Sequence, residues 1–264
     1  MSATPRAAII LAAGMGTRLR DVFSDLPKGF VEIGGESLID RSLRLLGDHG
    51  VERVVIVAGH LGETYHELAK SRPGVEVVDN PAFATTGSMA SLARALEIVD
   101  EDHLLLESDL FYEERALQRV LACEERDVLL VSSPTGATDE VWVEAANDGR
   151  LVDMSKAENE LDHISGELVG IVKVSADVGR ALSGAYEGFV SRHGHGRMAY
   201  EMDALVEVAR EHPVRVELVP DLLWGEVDYE RHYVRVRDEV YPAWRRRGVG
   251  GEDGEEVETE AIEA

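Results

Sequence analysis

Short, continuous apolar runs alternate along this sequence with longer amphipathic stretches. One such run, Val54-Val55-Ile56-Val57, contains no polar residue, as expected of a parallel strand that is buried on both faces. The stretches at residues 38–46 and 113–124 carry apolar residues at three- and four-residue spacing, which is typical of helices that cover a sheet. The alternation therefore predicts an α/β fold with a mostly parallel sheet.

The same pattern gives the expected elements and domain. We predict strands at residues 7–11, 54–57, 75–78, 104–107, 128–132, 141–145, 169–174 and 214–219, and helices at 38–46, 64–70, 88–98 and 113–124. After residue 128 the strands follow one another more closely, so we expect mixed or antiparallel strands in the second half. The sequence has no linker rich in Gly or Pro, and we predict a single domain over residues 1–244.

The charge of the chain limits its partners. The net charge is −24, from 51 acidic and 27 basic side chains, whereas nucleic acids and anionic membranes attract clustered cations. Seven of the acids, and no base, lie in residues 250–264. Because this segment has few apolar side chains to offset its ordering entropy, we predict an acidic, disordered tail over residues 245–264. We expect neither a nucleic acid nor a membrane as partner.

The cysteine content and the hydropathy of the sequence indicate in which cellular compartment we expect the protein. Cys123 is the sole cysteine of the sequence, so an intrachain disulfide and a Cys-based zinc site are excluded. The apolar run at residues 7–13 is far shorter than the ~20 residues that span a bilayer. It also lacks the cleavage pattern of a signal peptide. These observations predict a cytoplasmic protein.

A glycine-rich turn follows the first predicted strand, in the stretch Leu11-Ala12-Ala13-Gly14-Met15-Gly16-Thr17-Arg18-Leu19. Glycine has no Cβ, so backbone N–H groups can approach phosphate oxygens closely in such a turn. A dinucleotide-binding fingerprint would place a third glycine where Leu19 stands, and a Walker loop would require Gly-Lys-Ser/Thr. The cations Arg18 and Lys28 are present instead. We predict that a nucleotide contacts Leu11, Ala12, Ala13, Gly14, Gly16, Thr17 and Arg18.

This stretch, together with Pro27-Lys28-Gly29-Phe30, resembles the signature of the sugar-phosphate nucleotidyltransferases. Later segments resemble the small cytidylyltransferases, namely the phosphocholine group and, more closely, the 2-aminoethylphosphonate group. The likeness spans about residues 7–241. It implies a Rossmann-like α/β sandwich and the transfer of CMP from CTP to a small phosphonate, with release of pyrophosphate. The supporting segments are Asn80-Pro81, 86–92, 105–110, 138–141, 154–156, 167–171 and 224–228.

Acidic residues in these segments are candidate metal ligands. Asp109 follows a predicted strand, and ligands of open α/β sheets collect at the carboxyl ends of strands. Phosphoryl chemistry requires neutralisation of charge, and Mg²⁺ is held by one or two carboxylates together with substrate phosphate oxygens. The resemblance implies that Asp109 and Asp228 share Mg²⁺. Glu226 remains an alternative second ligand.

The basic residues are candidates for the reacting phosphates. By resemblance, Lys28 lies near the α-phosphate, where a fixed cation stabilises the charge of the transition state. Arg18 is assigned to the triphosphate and Lys156 to the acceptor's phosphoryl group. No general base is predicted, because a phosphonate oxygen is already anionic at neutral pH. We predict that Asn80, Gly87 and Ser88 form the base pocket, because they supply small polar groups and accessible backbone. Glu107 and Ser108 complete the predicted nucleotide-binding residues.

The nature of the acceptor depends on what surrounds its cationic end. A primary ammonium favours carboxylates, whereas a quaternary ammonium such as choline favours an aromatic cage. The aromatic residues near these segments are few, namely Trp142, Tyr200 and Trp224. We therefore predict 2-aminoethylphosphonate as the acceptor. Its predicted contacts are Lys28, Asp139, Glu140, Lys156, Tyr200 and Glu201, and residues 192–197 are expected to form a lid over it.

Several alternatives stay open at this point. One is a cytidylyltransferase for phosphocholine, another small phosphonate or a phosphomonoester. A second is a glycosyltransferase, because Glu107-Ser108-Asp109 resembles an acid-x-Asp motif. The cations Arg18 and Lys28 argue against it, because a glycosyltransferase leaves the diphosphate of the nucleotide intact and benefits little from a cation at the α-phosphate. A third is a silent nucleotide-sensing domain. The oligomeric state is left open, with a homodimer as one option.

Overall fold

A computed structural model describes residues 4–19 and 26–249 of the chain, except the side chains of Thr17 and Val249. The strands in this part are β1 (Ala7–Ala12), β2 (Glu32–Ile33), β3 (Glu36–Ser37), β4 (Arg53–Ala58), β5 (Val75–Asp79), β6 (His103–Glu107), β7 (Leu110–Tyr112), β8 (Val128–Ser132), β9 (Trp142–Ala145), β10 (Leu151–Ser155), β11 (Gly166–Val174), β12 (Arg215–Val219) and β13 (Trp224–Glu226). The α-helices are α1 (Leu38–Asp48), α2 (Gly62–Lys70), α3 (Ser88–Leu96), α4 (Arg115–Ala122), α5 (Ala176–His193), α6 (Val206–Ala209), α7 (Glu230–Arg235) and α8 (Tyr241–Val249). Tyr200–Leu205 and Val236–Val240 are π-helical.

Nine of these strands form one mixed sheet. Its order is β10-β9-β11-β6-β1-β4-β5, and β8 pairs with both β11 and β12. The central strands β6, β1, β4 and β5 run parallel, while β11 is antiparallel to β6. The predicted α/β fold with a mixed, mostly parallel central sheet is confirmed. The antiparallel strands enter in the second half of the chain, as the closer spacing there predicted.

The central strands are buried on both faces. Neighbouring residues of β1 point to opposite sides of the sheet, and Ile9 and Ile10 belong to two different hydrophobic clusters. In β4, Val55 and Ile56 divide in the same way between the two clusters. This double burial explains why these strands are continuous apolar runs in the sequence.

One long helix was not predicted. Helix α5 covers 18 residues, but Gly179, Gly184 and Gly188 interrupt its apolar pattern and lower its helix propensity. Its first turn is fixed by Ser175, whose hydroxyl accepts a hydrogen bond from the backbone N–H of Val178 at 3.2 Å. The cap and the packing of α5 against α3 outweigh the cost of the glycines.

The chain after Trp244 continues as helix α8, which ends at Val249. Arg247 on this helix forms an ion pair with Glu113 at 2.8 Å. The guanidinium of Arg41 lies 4.4 Å from the ring centroids of both Phe111 and Trp244. The helix therefore continues past residue 244, and Arg247 ties it to the domain, although residues 245–248 are exposed. The acidic residues 250–264 lie outside the described part. None of the helices in the described ranges is long and apolar enough to cross a membrane.

Candidate active site

A cleft of about 280 Å³ opens where β1 and β6 end. Because parallel strands end at the same edge of a sheet, the loops that follow them converge there. Most residues predicted to bind the nucleotide line this cleft. The predicted residues found here are Leu11, Ala12, Ala13, Gly14, Lys28, Gly87, Ser88, Glu107, Ser108, Asp109, Tyr200 and Glu201.

The glycine-rich turn forms one wall of the cleft. Gly16 has a φ of +57°, a conformation that costs glycine little and other residues more. Its carbonyl oxygen accepts a hydrogen bond from the N–H of Leu19 at 3.2 Å, which closes the turn. Gly16 does not itself line the cleft, and a Cβ at this position would lie 3.6 Å from Cγ of Lys28.

Asn80 is buried beneath the cleft and does not line it. Its side-chain Nδ2 donates hydrogen bonds to the hydroxyl oxygens of Thr86 at 3.2 Å and Ser91 at 3.0 Å, and both of these residues line the cleft. Asn80 therefore positions two residues of the cleft wall and does not itself face the cleft. Sequence reasoning placed Asn80 in the pocket but missed five lining residues, which are Pro27, Tyr65, Phe83, Thr86 and Ser91.

Two cations meet two carboxylates beside the cleft. Lys28 and Asp109 line it, whereas Arg18 and Asp228 do not. Nζ of Lys28 donates a hydrogen bond to Oδ2 of Asp109 at 2.9 Å and contacts Oδ1 of Asp228. Nη1 of Arg18 lies 3.1 Å from Oδ2 of Asp228. Burial lowers the pKa of Lys28, whereas the negative charges of Asp109 and Glu226 raise it. The carboxylates have the larger combined effect, so the pKa of Lys28 lies above its ordinary value. The structure thus brings together four residues that the sequence analysis chose, namely Arg18, Lys28, Asp109 and Asp228.

Three carboxylates adjoin this group. Oxygens of Glu107, Asp109 and Glu226 lie within 4.8 Å of one another. Burial, and next the charges of Asp109 and Glu201, raise the pKa of Glu107 to about 8, and the hydroxyl of Tyr200 donates to Oε1 of Glu107 at 2.7 Å. Carboxylate oxygens are the ligands that Mg²⁺ prefers, so these side chains fit a divalent cation.

Gly170 in β11 leaves space for the side chain of Glu107. Gly170 has a φ of +80°, and the pairing of β11 with β8 shifts register between Leu168 and Val172. A Cβ on Gly170 would lie 3.2 Å from Cδ of Glu107, closer than an ordinary van der Waals contact. The bulge therefore lets β11 pass this partly buried carboxyl group.

A second cavity, of about 80 Å³, adjoins the cleft, and Glu107 and Glu201 line both. Of the predicted acceptor contacts, Asp139, Glu140 and Lys156 line this second cavity together with Glu201, whereas Lys28 and Tyr200 line the cleft. The full lining is Glu107, Thr135, Ala137, Asp139, Glu140, Val141, Lys156, Glu167, Leu168, Val169, Gly170, Glu201, Glu226, Asp228 and Arg235.

The loop between β8 and β9 carries Asp139 and Glu140 to this cavity. The carbonyl oxygen of Ala137 accepts hydrogen bonds from Arg231 at 3.2 Å and from Nε2 of His232 at 3.1 Å. Thr138 follows with a φ of +74°, a rare conformation for a β-branched residue. Nη2 of Arg231 also donates to the Thr138 hydroxyl at 2.8 Å. These contacts fix the direction in which the loop presents its acids.

Sequence reasoning missed two charged residues of the second cavity, Glu167 and Arg235. A signal for Glu167 was available, because this acid directly precedes the apolar run at residues 168–172. Arg235 carried no such signal, since it is one of several arginines in a polar stretch and reaches the cavity through the fold of α7.

The loop predicted as a lid, residues 192–197, begins at the end of α5 and leads to the cleft. The N–H of Gly87 donates to the carbonyl of Gly196 at 2.9 Å, and the N–H of Met89 donates to the carbonyl of Met198 at 3.0 Å. Gly87 lines the cleft but not the second cavity. Backbone pairing therefore holds this loop beside the predicted nucleotide pocket.

Comparison with known proteins gives a consistent result. The family model of the MobA-like NTP transferase domain matches residues 8–214. A CMP-5'-(3-aminopropyl)phosphonate synthase from Streptomyces rubellomurinus is 33% identical over 236 residues, which are 86% of this chain and 37% of the relative. A 2-aminoethylphosphonate cytidylyltransferase from Lancefieldella rimae is 23% identical over 81% of this chain and 87% of its own length. The chain thus spans little more than a third of the Streptomyces relative.

Solved structures share the fold. The inositol-1-phosphate CTP transferase from T. maritima superposes with a TM-score of 0.76 at 21% identity, covering 93% of this chain and 97% of its own. The CTP:phosphocholine cytidylyltransferase from Streptococcus pneumoniae gives a TM-score of 0.69 at 21% identity, covering 88% of this chain and 98% of its own.

Proposed function

Because this chain belongs to the MobA-like NTP transferase family, we propose that it transfers CMP from CTP to 2-aminoethylphosphonate or a close aminoalkylphosphonate. The family membership supports a nucleotidyltransferase. The choice of acceptor rests on one observation, the composition of the second cavity beside the nucleotide cleft.

That cavity is lined by seven carboxyl groups and two cations, Lys156 and Arg235. Within the described residues, its lining includes no aromatic side chain; Trp142, Tyr200 and Trp224 lie elsewhere. A quaternary ammonium is best bound by an aromatic cage, so this surface favours a primary ammonium over choline. The names of the Streptomyces and Lancefieldella relatives also refer to aminoalkylphosphonates, which supports the same acceptor class.

The proposed reaction joins two phosphorus groups. A phosphonate oxygen attacks the α-phosphorus of CTP, and the bond from that phosphorus to the bridging oxygen of pyrophosphate breaks, with its electron pair leaving on pyrophosphate. The product is a phosphonic–phosphoric anhydride that carries CMP. The attacking oxygen is already anionic, so no side chain has to remove a proton. The residues of the protein must therefore position CTP and the phosphonate and neutralise their negative charges.

The charged residues divide these tasks. Lys28, near the glycine-rich turn, would stabilise the charge that develops at the α-phosphate, and Arg18 would hold the outer phosphates. Lys156 lines the acceptor cavity and would hold the phosphonate. The turn around Gly14 and Gly16 would present backbone N–H groups to the triphosphate.

We assign the divalent cation, Mg²⁺, to Asp109 and Asp228. These two carboxylates flank the Lys28 ammonium, so the fold already holds a positive charge between them. When bound, Mg²⁺ would draw charge from the phosphate oxygens of CTP. Glu226 is the alternative second ligand, because it clusters with Asp109 and Glu107.

The base pocket is assigned to the wall around Ser88. The hydroxyls of Thr86, Ser88 and Ser91 line the cleft, and hydroxyl groups can pair with the amino and carbonyl groups of cytosine. This wall is compatible with a pyrimidine, and we expect CTP because the chain resembles the cytidylyltransferases and relatives are named for CMP transfer.

Pyrophosphate release tests the proposal. Each of the four common NTPs would be combined with 2-aminoethylphosphonate, 3-aminopropylphosphonate, phosphocholine and methylphosphonate, with and without Mg²⁺. We expect release with CTP, Mg²⁺ and an aminoalkylphosphonate. Turnover of phosphocholine in preference to the aminoalkylphosphonates would overturn the acceptor assignment, and absence of pyrophosphate with every pair would overturn the activity.

A further inference from the structure

One buried acid of the acceptor cavity has no part in the chemistry derived above. Glu167 lies in β11 with 4% of its surface exposed. Its Oε2 accepts a hydrogen bond from the N–H of Thr135 at 2.5 Å, and its Oε1 accepts one from the Thr135 hydroxyl at 2.9 Å. The carboxyl group is therefore held in one orientation at the edge of the cavity.

Most other acids of the cavity are engaged by neighbours. Glu107 accepts a hydrogen bond from Tyr200, and both oxygens of Asp228 receive Lys28 or Arg18. Three further acids also have neighbours of their own. Glu201 accepts a hydrogen bond from Ser88, and Asp139 lies 3.4 Å from Nε2 of His232. Glu226 belongs to the carboxylate cluster with Asp109.

Glu140 and Glu167 remain. Thr135 donates hydrogen bonds to Glu167, but no cation of the described residues forms an ion pair with either carboxyl group. Burial raises the pKa of Glu167 most, and the charge of Glu140 adds to this effect. The hydrogen bonds from Thr135 and the charge of Arg235 lower the pKa, and the net result is a pKa raised to about 7. Two carboxylates that repel each other in a small cavity are stabilised by a cation between them. The cavity also contains Asp228, which is bound to Lys28, so it extends from the reacting groups to this acidic pair.

We propose that Glu167, paired with Glu140, binds the ammonium end of the acceptor and so selects cationic phosphonates over neutral ones. The proposal rests on the proposed function, since it assigns a specificity residue within the acceptor site. Thr135 is the positioning residue, because its two hydrogen bonds fix the carboxyl group of Glu167.

The test compares two acceptors of similar size. Propylphosphonate has a methyl group where 2-aminoethylphosphonate has its ammonium, so the two differ mainly in that charge. The variant Glu167→Gln keeps a side chain that can hydrogen-bond Thr135 but loses the negative charge. A charged hydrogen bond that is lost in this way costs on the order of 10- to 100-fold in binding.

We expect the wild type to prefer 2-aminoethylphosphonate in kcat/KM, and Glu167→Gln to lose this preference by about 10- to 100-fold through a higher acceptor KM, with the KM for CTP unchanged. The control is Glu144→Gln. Glu144 is also buried and accepts a backbone N–H, that of Asp162 at 2.9 Å, but it does not line the cavity, so this variant should keep the preference.

Three results would overturn the inference. The wild type could treat the two acceptors alike, Glu167→Gln could keep the wild-type ratio, or Glu167→Gln could lose activity on both acceptors equally, as a purely structural role would cause. Calorimetric titration of both phosphonates into each protein separates this inference from the proposed function. If no CMP transfer occurs, a binding preference for the amine that Glu167→Gln removes still supports the inference, and an unchanged preference contradicts it.

Discussion

Nζ of Lys28 donates a hydrogen bond to Oδ2 of Asp109 at 2.9 Å, which joins the segment after the glycine-rich turn to the end of β6. The same nitrogen contacts Asp228. The two carboxylates are 81 and 200 residues from Lys28 in the sequence, so their meeting is a product of the fold. An ammonium held between two carboxylates beside a cleft is suited to binding and polarising a phosphate together with a divalent cation.

The first prediction concerns Lys28. In Lys28→Ala, kcat should fall by about 10²- to 10³-fold, because one fixed charge at the α-phosphate is lost. Steady-state pyrophosphate release measures the change, and Lys70→Ala is the matched control, since Lys70 is an exposed lysine paired with Glu67 on α2. Normal turnover by Lys28→Ala would show that Lys28 is not the residue at the α-phosphate.

The second prediction distinguishes the two candidate ligand sets for the metal. Asp228→Asn should raise the Mg²⁺ concentration needed for half-maximal activity by about 10-fold or more, because one anionic ligand becomes neutral. Glu226→Gln should change it far less. Activity measured against Mg²⁺ concentration for both variants gives the comparison, and the opposite order of effects would move the second ligand from Asp228 to Glu226.

The third prediction concerns the wall of the nucleotide cleft. Asn80→Ala removes the amide that bonds Thr86 and Ser91, which leaves buried polar groups unpaired at a cost of about 1–3 kcal/mol in the free energy of unfolding. The KM for CTP should rise, with a smaller change in the KM for the acceptor. Urea unfolding and initial rates measure the two effects. Thr85→Ala is the control, because the Thr85 hydroxyl bonds only an exposed carbonyl; an unaltered CTP KM in Asn80→Ala would contradict the assignment of this wall to the nucleotide.

The fourth prediction is a pH dependence. Burial and Glu140 raise the pKa of Glu167 to about 7 from an ordinary value of 4.5, so this carboxyl group is neutral below that pH and anionic above it. Preference for 2-aminoethylphosphonate over propylphosphonate should therefore increase between about pH 6 and about pH 8. The ammonium of 2-aminoethylphosphonate lowers the pKa of its phosphonate relative to that of propylphosphonate, so the part of the change that belongs to Glu167 is the difference between the wild type and Glu167→Gln. The charged groups that share the cavity with Glu167 are Glu107, Asp139, Glu140, Lys156, Glu201, Glu226, Asp228 and Arg235.

Glu167→Gln is the control for this titration, since it keeps every other group of the cavity. Its ratio should rise less than that of the wild type across the same range, and a rise equal to that of the wild type would assign the titration to another residue. Linkage gives a second consequence. Because the folded-state pKa lies above the unfolded one, the contribution of Glu167 to stability is fully present below about pH 4.5 and is lost as pH rises through about 7.

The sequence was sufficient for the parts of the fold that local pattern determines. Strands β1, β4 and β6 are apolar runs buried on both faces, and the predicted ranges lie within one residue of the observed ends. Asp109 could be placed at the edge of the sheet because it follows such a run. Helix α5 could not be predicted, because its glycines hide the helical pattern that packing against α3 stabilises.

The second cavity was harder to predict because its charges come from distant segments. Asp139, Glu140 and Lys156 were chosen from short motifs and do line it. Glu167 reaches it from β11 and Arg235 from α7. Those two placements depend on how the strands and helices pack, which no local pattern specifies.

The most direct test of the proposed function is ³¹P NMR of a mixture of the protein, CTP, Mg²⁺ and 2-aminoethylphosphonate. The account predicts loss of the CTP signals, appearance of pyrophosphate, and a pair of coupled resonances, one phosphonate and one phosphate, from a new P–O–P linkage. A spectrum in which the phosphonate signal stays unchanged and uncoupled while CTP is stable, or is hydrolysed to CMP and pyrophosphate alone, would contradict the transfer.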